Sequence, residues 1–326
     1  LQALKTQQQE NQIKKQWLLI IAIVFILGLA FSLMYVVYSQ FKFKKMANQE
    51  LELKNRAMRN INKELDKKNK SVSDSINYAQ RIQETIMPTQ IQLQKLFPKS
   101  FIFYKAKDVV SGDFPWIWSS NGSSDMICVS AVDCTWHGVP GAMMSMIGYF
   151  LLNEIVNDRN IHTPSEILNH LHEGIKQTLR QEENLESKDG MDIAFCSIHK
   201  ELMEVQFAGA HRPILWLHKG EITEIKGNRF PIGGVQYSNK GREIKFTNHT
   251  LKLAKGDSIY FYSDGLIDQL GGEHGKRFKN DKVKKIIVEN QDKSMQELHN
   301  IFKEEFIRWM GSTKQLDDVL MLGIKV

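Results

Sequence analysis

The chain has few cysteines, and their spacing excludes several kinds of site. Of its 326 residues only three are cysteine: Cys128, Cys134 and Cys196. No two of them form a C-x-x-C pair, so the sequence predicts neither a disulfide framework nor a structural zinc site. So low a cysteine content favours a reducing compartment.

The C-terminal three quarters of the chain lack an excess of positive charge. The net charge is +6, yet residues 39–70 alone carry +6, residues 1–38 carry +2 and residues 71–326 carry −2. A nucleic-acid-binding domain presents a dense basic face, so we expect no nucleic-acid partner. The basic stretch at 39–70 is instead typical of a segment that follows a membrane span.

Residues 17–38 contain no charged side chain, and 22 such residues are enough to cross a bilayer core of roughly 30 Å. We predict a transmembrane helix there; a signal peptide and a buried soluble helix are the alternatives. Positive residues are more numerous after the span, which predicts the inner (cytoplasmic) membrane, with the C-terminal part in the cytoplasm. Because the chain begins with Leu1 rather than Met, we expect residues 1–16 to be the end of a preceding sensor region.

Residues 43–87 contain neither glycine nor proline. Apolar or small residues recur there at every seventh position, a heptad repeat that predicts a parallel coiled coil over 39–90 and hence a homodimer. The repeat consists of Leu51, Met58, Leu65, Val72, Ala79 and Ile86, with a second, partial row of Ile61 and Ile82. A single solvated helix is the alternative, and Pro88 ends the helix in either case.

From Phe97 onward the sequence changes to short β-rich runs separated by turns, at 121–122, 219–220 and 255–257 among other places. Helices interrupt them at 142–156, 163–179 and 294–310; in the second, Thr163 is a predicted N-cap before Pro164. This pattern predicts an α+β domain with sheets between helix layers. The predicted strands are 101–104, 116–118, 126–132, 194–198, 203–208, 214–217, 244–253, 258–262 and 319–324.

Four aspartates lie beside apolar runs where strands are expected to end: Asp113, Asp133, Asp264 and Asp317. Converging carboxylates repel one another unless they hold a cation, and no excess of arginine lies near them in the sequence. The set therefore predicts a divalent metal site with oxygen ligands. Taken singly, Asp133 could cap the following helix, Asp113 and Asp264 could be turn residues, and Asp317 could lie in a solvated loop with Asp318.

Seven segments between residues 108 and 324 resemble, in their order, the SpoIIE family of PPM-type (protein phosphatase 2C-like) serine/threonine phosphatases. They are VVSGDFPW, AVDCTWHGVPGAMMSMIG, GMDIAFCSI, FAGAHRPIL, RFPIGG, YSDGLIDQLGG and LDDVLMLGI. The preceding SINYAQRIQETIMP is similar to the helix that joins sensor modules to this domain. Each segment is a weak signal alone, and the ordered set is specific.

The resemblance implies a four-layer α-β-β-α sandwich of two antiparallel sheets over residues 97–326, with a binuclear Mn²⁺ or Mg²⁺ centre. It further implies that Asp133 bridges the two metals. The remaining implied ligands are Asp113 and the carbonyl of Cys134 for one metal, and Asp264 and Asp317 for the other, with Asp318 as second choice for Asp317. Such a centre activates water, so no protein nucleophile is needed.

The implied activity is that of a membrane-tethered Ser/Thr phosphoprotein phosphatase acting on a phosphorylated regulatory protein, such as an anti-sigma-factor antagonist. His137 is a candidate general acid, with a turn histidine as the plainer interpretation. Arg212 is a candidate contact for the anionic substrate, and His211 beside it is expected to shape a strand turn. No cysteine is followed by the arginine of C-x5-R, which excludes a cysteine-based phosphatase.

Two positions depart from the family pattern. Trp136 stands where the family has glycine, in a turn where the backbone passes close to metal and phosphate, and Pro115 stands where an aromatic residue is usual. The alternative function is therefore a catalytically impaired scaffold that binds a phosphoprotein. A histidine kinase or diguanylate cyclase is excluded, because residues 43–87 contain no histidine and the chain has no G-G-[DE]-E-F segment.

Overall fold

A computed structural model describes residues 2–120, 125–183, 188–234 and 244–326. The chain divides into two compact units, one up to Ser73 and one comprising Asp74–Val326. The turn predicted at 121–122 lies outside the described residues. The strand predicted at 244–253 is described throughout.

Helix α1 comprises Gln2–Ile86. The first unit is the part of this helix up to Ser73, and the last turns of the helix belong to the second unit. The absence of helix-breaking residues between 43 and 86 suits so long a helix. Glu50–Lys54 and Glu64–Lys68 add ion pairs of 2.7 and 3.2 Å, each with the acid one turn before the base. Every side chain from residue 4 to residue 73 is exposed, including the apolar residues of 17–38 and the heptad positions in this range. By length and composition, α1 could cross a membrane; α3 with the turn after it (138–158) passes the same test but is partly buried.

The second unit is an α+β fold with two antiparallel sheets. Its helices are α2 Gln90–Leu96, α3 Gly138–Asn153 with a π-helical turn at Glu154–Asp158, α4 Pro164–Thr178, α5 Asp264–Asp268, α6 Asn280–Glu289 and α7 Met295–Met310. Its strands are β1 Ser100–Lys105, β2 Phe114–Ser119, β3 Met126–Cys134, β4 Gly190–His199, β5 Glu204–Ala210, β6 Ile214–His218, β7 Glu221–Ile225, β8 Ile232–Gly233, β9 His249–Lys252, β10 Ser258–Tyr262, β11 Leu270–Gly271, β12 Lys276–Arg277 and β13 Val319–Lys325.

Sheet A has the strand order β1-β13-β10-β6-β7, and sheet B has the order β2-β3-β4-β5-β9, with β8 paired to β4. Strand β3 shows how the sequence positions them. Because successive side chains point to opposite faces of a strand, Ile127 and Val129 enter the core between the sheets, while Cys128 and Val132 enter the core under α3 and α4. A third core lies between sheet A and helices α6 and α7. Helix–sheet–sheet–helix layering therefore follows from three separate apolar cores.

Most predicted elements form, with shifted ends. The run 258–262 forms β10, but of 244–253 only His249–Lys252 is a strand, and strand β7 and helix α6 were not predicted. Thr163 is the N-cap of α4 and precedes Pro164, as predicted, although its side chain makes no capping hydrogen bond. Ser294 does cap α7, in a capping box with Glu297.

Candidate functional site

Three acidic strand ends and one arginine converge at one edge of the second unit. Asp133, the second-last residue of β3, lies opposite Asp192 in β4. Residue Arg212 follows the end of β5, which pairs with β4, and Asp264 begins α5 directly after β10. The backbone N–H of Asp264 donates to Oδ2 of Asp133 at 3.1 Å. Two sheets thus deliver these side chains to one place.

Arg212 is the counter-cation of this cluster. Its Nη2 lies 3.2 Å from Oδ2 of Asp133, 2.9 Å from Oδ2 of Asp192 and 2.6 Å from Oδ2 of Asp264. The sequence shows no excess of arginine near the carboxylates, and it did not indicate that Arg212 would contact three of them. Tertiary structure brings residue 212 to Asp264 and Asp133, which lie 52 and 79 positions away in the sequence. Asp192 was also missed, although it is the register partner of Asp133.

Burial opposes the ionisation of Asp133 and of nearby Asp113. Burial raises the pKa of Asp133 to about 7; Arg212 opposes this shift, and the charges of Asp264 and Asp192 add to it. Burial also raises the pKa of Asp113 well above its usual range, with a further contribution from the charge of Asp133. One oxygen of Asp113, Oδ2, is buried without a hydrogen-bond partner. Such a group calls for a cation or a proton.

The loop that carries Asp113 is fixed from helix α1. The side chain of Gln83 donates to the carbonyl of Ser111 at 2.6 Å and to Oγ of Ser145 at 2.9 Å, and it accepts from the Ser111 N–H at 3.1 Å. The Ser111 hydroxyl in turn accepts from the N–H of Asp113 at 3.0 Å. Sequence reasoning missed Gln83; its only signal was a polar residue among the apolar positions at the end of the heptad repeat.

The two adjacent aspartates at 317–318 have different tasks. Asp318 is buried, and its oxygens accept from the backbone N–H groups of Lys107 at 2.7 Å and Gly112 at 2.8 Å. Asp317 is half-buried and accepts through Oδ1 from the N–H of Asp318. Burial raises its pKa, and the charge of Asp264 contributes. Asp318 thus holds the backbone of the loop before Asp113, whereas the hydrogen bond of Asp317 goes to its own neighbour.

His137 joins two residues that the sequence did not indicate. Its Nδ1 lies 2.7 Å from Oδ2 of Asp108, and its Nε2 lies 2.7 Å from Nζ of Lys107. Because a lysine ammonium can only donate, Nε2 accepts and Nδ1–H donates to Asp108, which describes a neutral imidazole. His137 is also the residue before α3, where it makes no capping bond.

His211 has the role expected of it. Its φ of 55° lies in the left-handed region, and its N–H bonds to the carbonyl of Asn228 at 2.8 Å, which turns the chain out of β5. Its Nδ1 lies 2.9 Å from Oδ1 of Asp192, and this hydrogen bond raises the pKa of the imidazole.

Comparison with known proteins identifies the family and the fold of the chain. The family profile described as Stage II sporulation protein E (SpoIIE) matches residues 123–326. The chain belongs to the SpoIIE family. The SiaA PP2C domain of Pseudomonas aeruginosa is 28% identical with a TM-score of 0.70, and the match covers 79% of this chain and 98% of that domain. No curated protein matches the chain.

Two more distant structures share the fold. The PP2C phosphatase domain of SpoIIE from Bacillus subtilis, solved with a fragment of its regulatory domain, is 17% identical with a TM-score of 0.55; the match covers 70% of this chain and 61% of that one. The RsbU and RsbW domains of a Mycobacterium tuberculosis protein are 20% identical with a TM-score of 0.54, over 70% and 60% of the two chains. The second unit therefore has the PP2C-type phosphatase fold.

The departures from the SpoIIE pattern leave the turn intact. Trp136 is not among the described residues with positive φ; Gly138, at φ 64°, takes the left-handed position of this turn. The Trp136 carbonyl fits against Gly112 and Gly141, where a Cβ would clash. The indole is 56% exposed and donates to Oδ1 of Asp189 at 2.7 Å. Pro115 lies in β2, an edge strand of sheet B, where the missing N–H is tolerated.

The donor set suits Mg²⁺ or Mn²⁺ in its chemistry, being carboxylates and a backbone carbonyl. The orphaned Oδ2 of Asp113 fits such an ion. Cys134 is buried, which raises the pKa of its thiol well above the usual value, so only its carbonyl is a plausible hard ligand. As they stand, no three His, Cys, Asp or Glu side chains in the described ranges are grouped to hold a metal. Arg212 lies between Asp133 and Asp264.

Proposed function

We propose that the chain is a membrane-tethered, metal-dependent Ser/Thr phosphoprotein phosphatase. The observation that carries this proposal is the buried carboxylate cluster around Asp133, formed where the two sheets of a PP2C-type fold meet. Buried acids with raised pKa values and an orphaned oxygen are costly to a fold. They are expected where a function requires them.

Two Mn²⁺ or Mg²⁺ ions would be held by residues from both sheets. Asp133 would serve both ions, with Asp113 and the Cys134 carbonyl on one side and Asp264 and Asp317 on the other. When bound, the ions would supply an activated water and neutralise the charge of the phosphoryl group. Asp318 and Gln83 would keep the 111–113 loop in place, because they hold its backbone from opposite sides.

His137 is proposed to give a proton to the oxygen of the departing serine or threonine. The contact with Asp108 keeps one proton on Nδ1, and Nε2 accepts from the Lys107 ammonium. The proton given to the departing oxygen would therefore pass from the Lys107 ammonium through Nε2, and water would afterwards return a proton to Lys107. Arg212 is proposed to contact the anionic substrate once a metal has replaced it among the carboxylates.

The substrate is proposed to be a phosphorylated regulatory protein of the anti-sigma-factor-antagonist kind. This is supported by relatives that include SpoIIE, described as a cell fate determinant, and a protein with RsbU and RsbW domains. Residues 17–38 are proposed to span the inner membrane after a short flank at 1–16. A coiled coil at 39–90 would join two copies in the cytoplasm, because the heptad side chains up to Val72 are exposed on a single helix.

The test is hydrolysis of an aryl phosphate and of a phosphoserine peptide by the full chain in detergent micelles, with and without Mn²⁺. We expect activity that chelation abolishes and that Asp133→Asn lowers by at least about a thousandfold, as loss of a central electrostatic group does. Asp268→Asn is the matched control, because Asp268 pairs only with exposed Arg277 at 3.0 Å. Full activity of Asp133→Asn would refute the proposed metal centre.

A further inference from the structure

Arg212 contacts three carboxylates through one positively charged nitrogen, as a metal ion would, rather than pairing with a single carboxylate. All three contacts, to Asp133, Asp192 and Asp264, are made by the single atom Nη2. A stable Arg–carboxylate pair is usually bidentate, with two nitrogens on two oxygens. Here one nitrogen lies between three acids that belong to β3, β4 and α5.

A second nitrogen of the guanidinium, Nε, lacks a partner. Nε of Arg212 is buried without a hydrogen-bond partner, and the side chain is only 13% exposed. A buried unpaired N–H destabilises the arrangement that contains it. The present position of the side chain therefore carries a cost at Nε.

The backbone beneath this side chain is firmly held. The N–H of Arg212 donates to the carbonyl of Ala210 at 2.6 Å, and its own carbonyl packs against Gly209 and Gly227, where a Cβ would lie 2.3 and 2.8 Å from it. Any change must therefore occur in the flexible side chain. Asp192 is not among the proposed ligands, so it can keep the guanidinium at 2.9 Å while Asp133 and Asp264 release it.

We propose that Arg212 is a built-in competitor of the second metal ion. In the resting protein it neutralises the cluster from the position between Asp133 and Asp264, and an ion enters there only when the guanidinium withdraws to Asp192. The inference rests on the proposed metal centre. It predicts one tight and one weak site for Mn²⁺, the weak site being the one served by Asp264 and Asp317.

The test is a calorimetric Mn²⁺ titration of the metal-stripped full chain in micelles. Arg212→Gln should bind the second ion at least about tenfold more tightly than the wild type, because both the competitor and its charge are gone. Arg212→Lys should also tighten it, because one shorter ammonium group keeps the charge but does not reach all three acids. Arg159→Gln, which breaks an exposed pair with Glu154, is the control and should match the wild type.

The outcomes separate the possibilities. Unchanged or weaker second-site affinity in Arg212→Gln would overturn the inference, as would two equally tight sites in the wild type. Tightening in Arg212→Gln but not in Arg212→Lys would show that charge alone, not occupancy, sets the affinity, which also overturns it. If Arg212→Gln does not fold, the second-site affinity of Arg212→Lys tests the inference instead.

Asp133→Asn tests the proposed metal centre on which the inference rests. If this variant binds two Mn²⁺ ions as the wild type does, the proposed metal centre is wrong.

Discussion

Gln83 offers a sharp test of how the linker helix supports the site, through the substitution Gln83→Leu. Leucine has a similar volume but cannot replace the bonds to the N–H and carbonyl of Ser111. Ser145 keeps its bond to the Ala142 carbonyl, so two buried backbone groups lose their partners. At about 1–3 kcal/mol for each, the loss is about 2–6 kcal/mol.

For a domain of this size, each kcal/mol lowers Tm by about 2–4 °C. We therefore expect Gln83→Leu to melt at least about 4 °C below the wild type in differential scanning fluorimetry. Part of the loss should appear as weaker Mn²⁺ binding, because the 111–113 loop carries Asp113. Gln80→Leu is the matched control, since Gln80 lies one turn earlier and bonds only to Glu84 of the same helix. A Tm within 1 °C of the wild type would refute this account of the loop.

Three further predictions concern the cluster and its surroundings. The metal-stripped protein should lose stability as the pH rises from about 4 to about 7. The reason is that the folded pKa of Asp133 exceeds the unfolded value of about 3.9, so that ionisation of this carboxyl disfavours the folded state. The Tm of Asp133→Asn should change less over this pH range, and an equal change of Tm with pH in both proteins would contradict the assignment. Asp318→Asn should lower stability by about 1–3 kcal/mol in urea unfolding, since an amide nitrogen would face a backbone donor, whereas Asp317→Asn should leave metal-free stability nearly unchanged and weaken Mn²⁺ binding. Trp136→Gly should keep kcat for an aryl phosphate within about threefold, because the indole is exposed and bonds only to Asp189; a large gain of activity would show that the tryptophan obstructs the site.

Apolar alternation was enough to predict the strands that form the core, because period-2 patterns such as that of β3 report burial directly. It did not predict β7, which is largely polar and pairs at the edge of sheet A. It also predicted a strand at 244–248, where the chain has no regular secondary structure. Ordered motifs gave the family and the fold. Whether α1 spans a membrane and forms a coiled coil stays a prediction.

The candidate site was only partly accessible to sequence reasoning. Aspartates at strand ends were visible because each abuts an apolar run. Arg212 was predicted as a substrate contact but not as the counter-charge of the carboxylates. Asp192, Lys107 and Gln83 were not predicted, because their importance comes from pairing across strands or from a helix that lies 28 residues before the loop it holds. A local pattern cannot reveal a counter-charge brought in by tertiary structure.

The most direct test of the central claim is the rate of phosphoserine-peptide hydrolysis by the full chain as Mn²⁺ is added to metal-stripped protein. The account predicts no turnover without metal, saturable activation by Mn²⁺, and loss of that activation in Asp133→Asn but not in Asp268→Asn. Metal-independent hydrolysis, or equal activation of both variants, would contradict it.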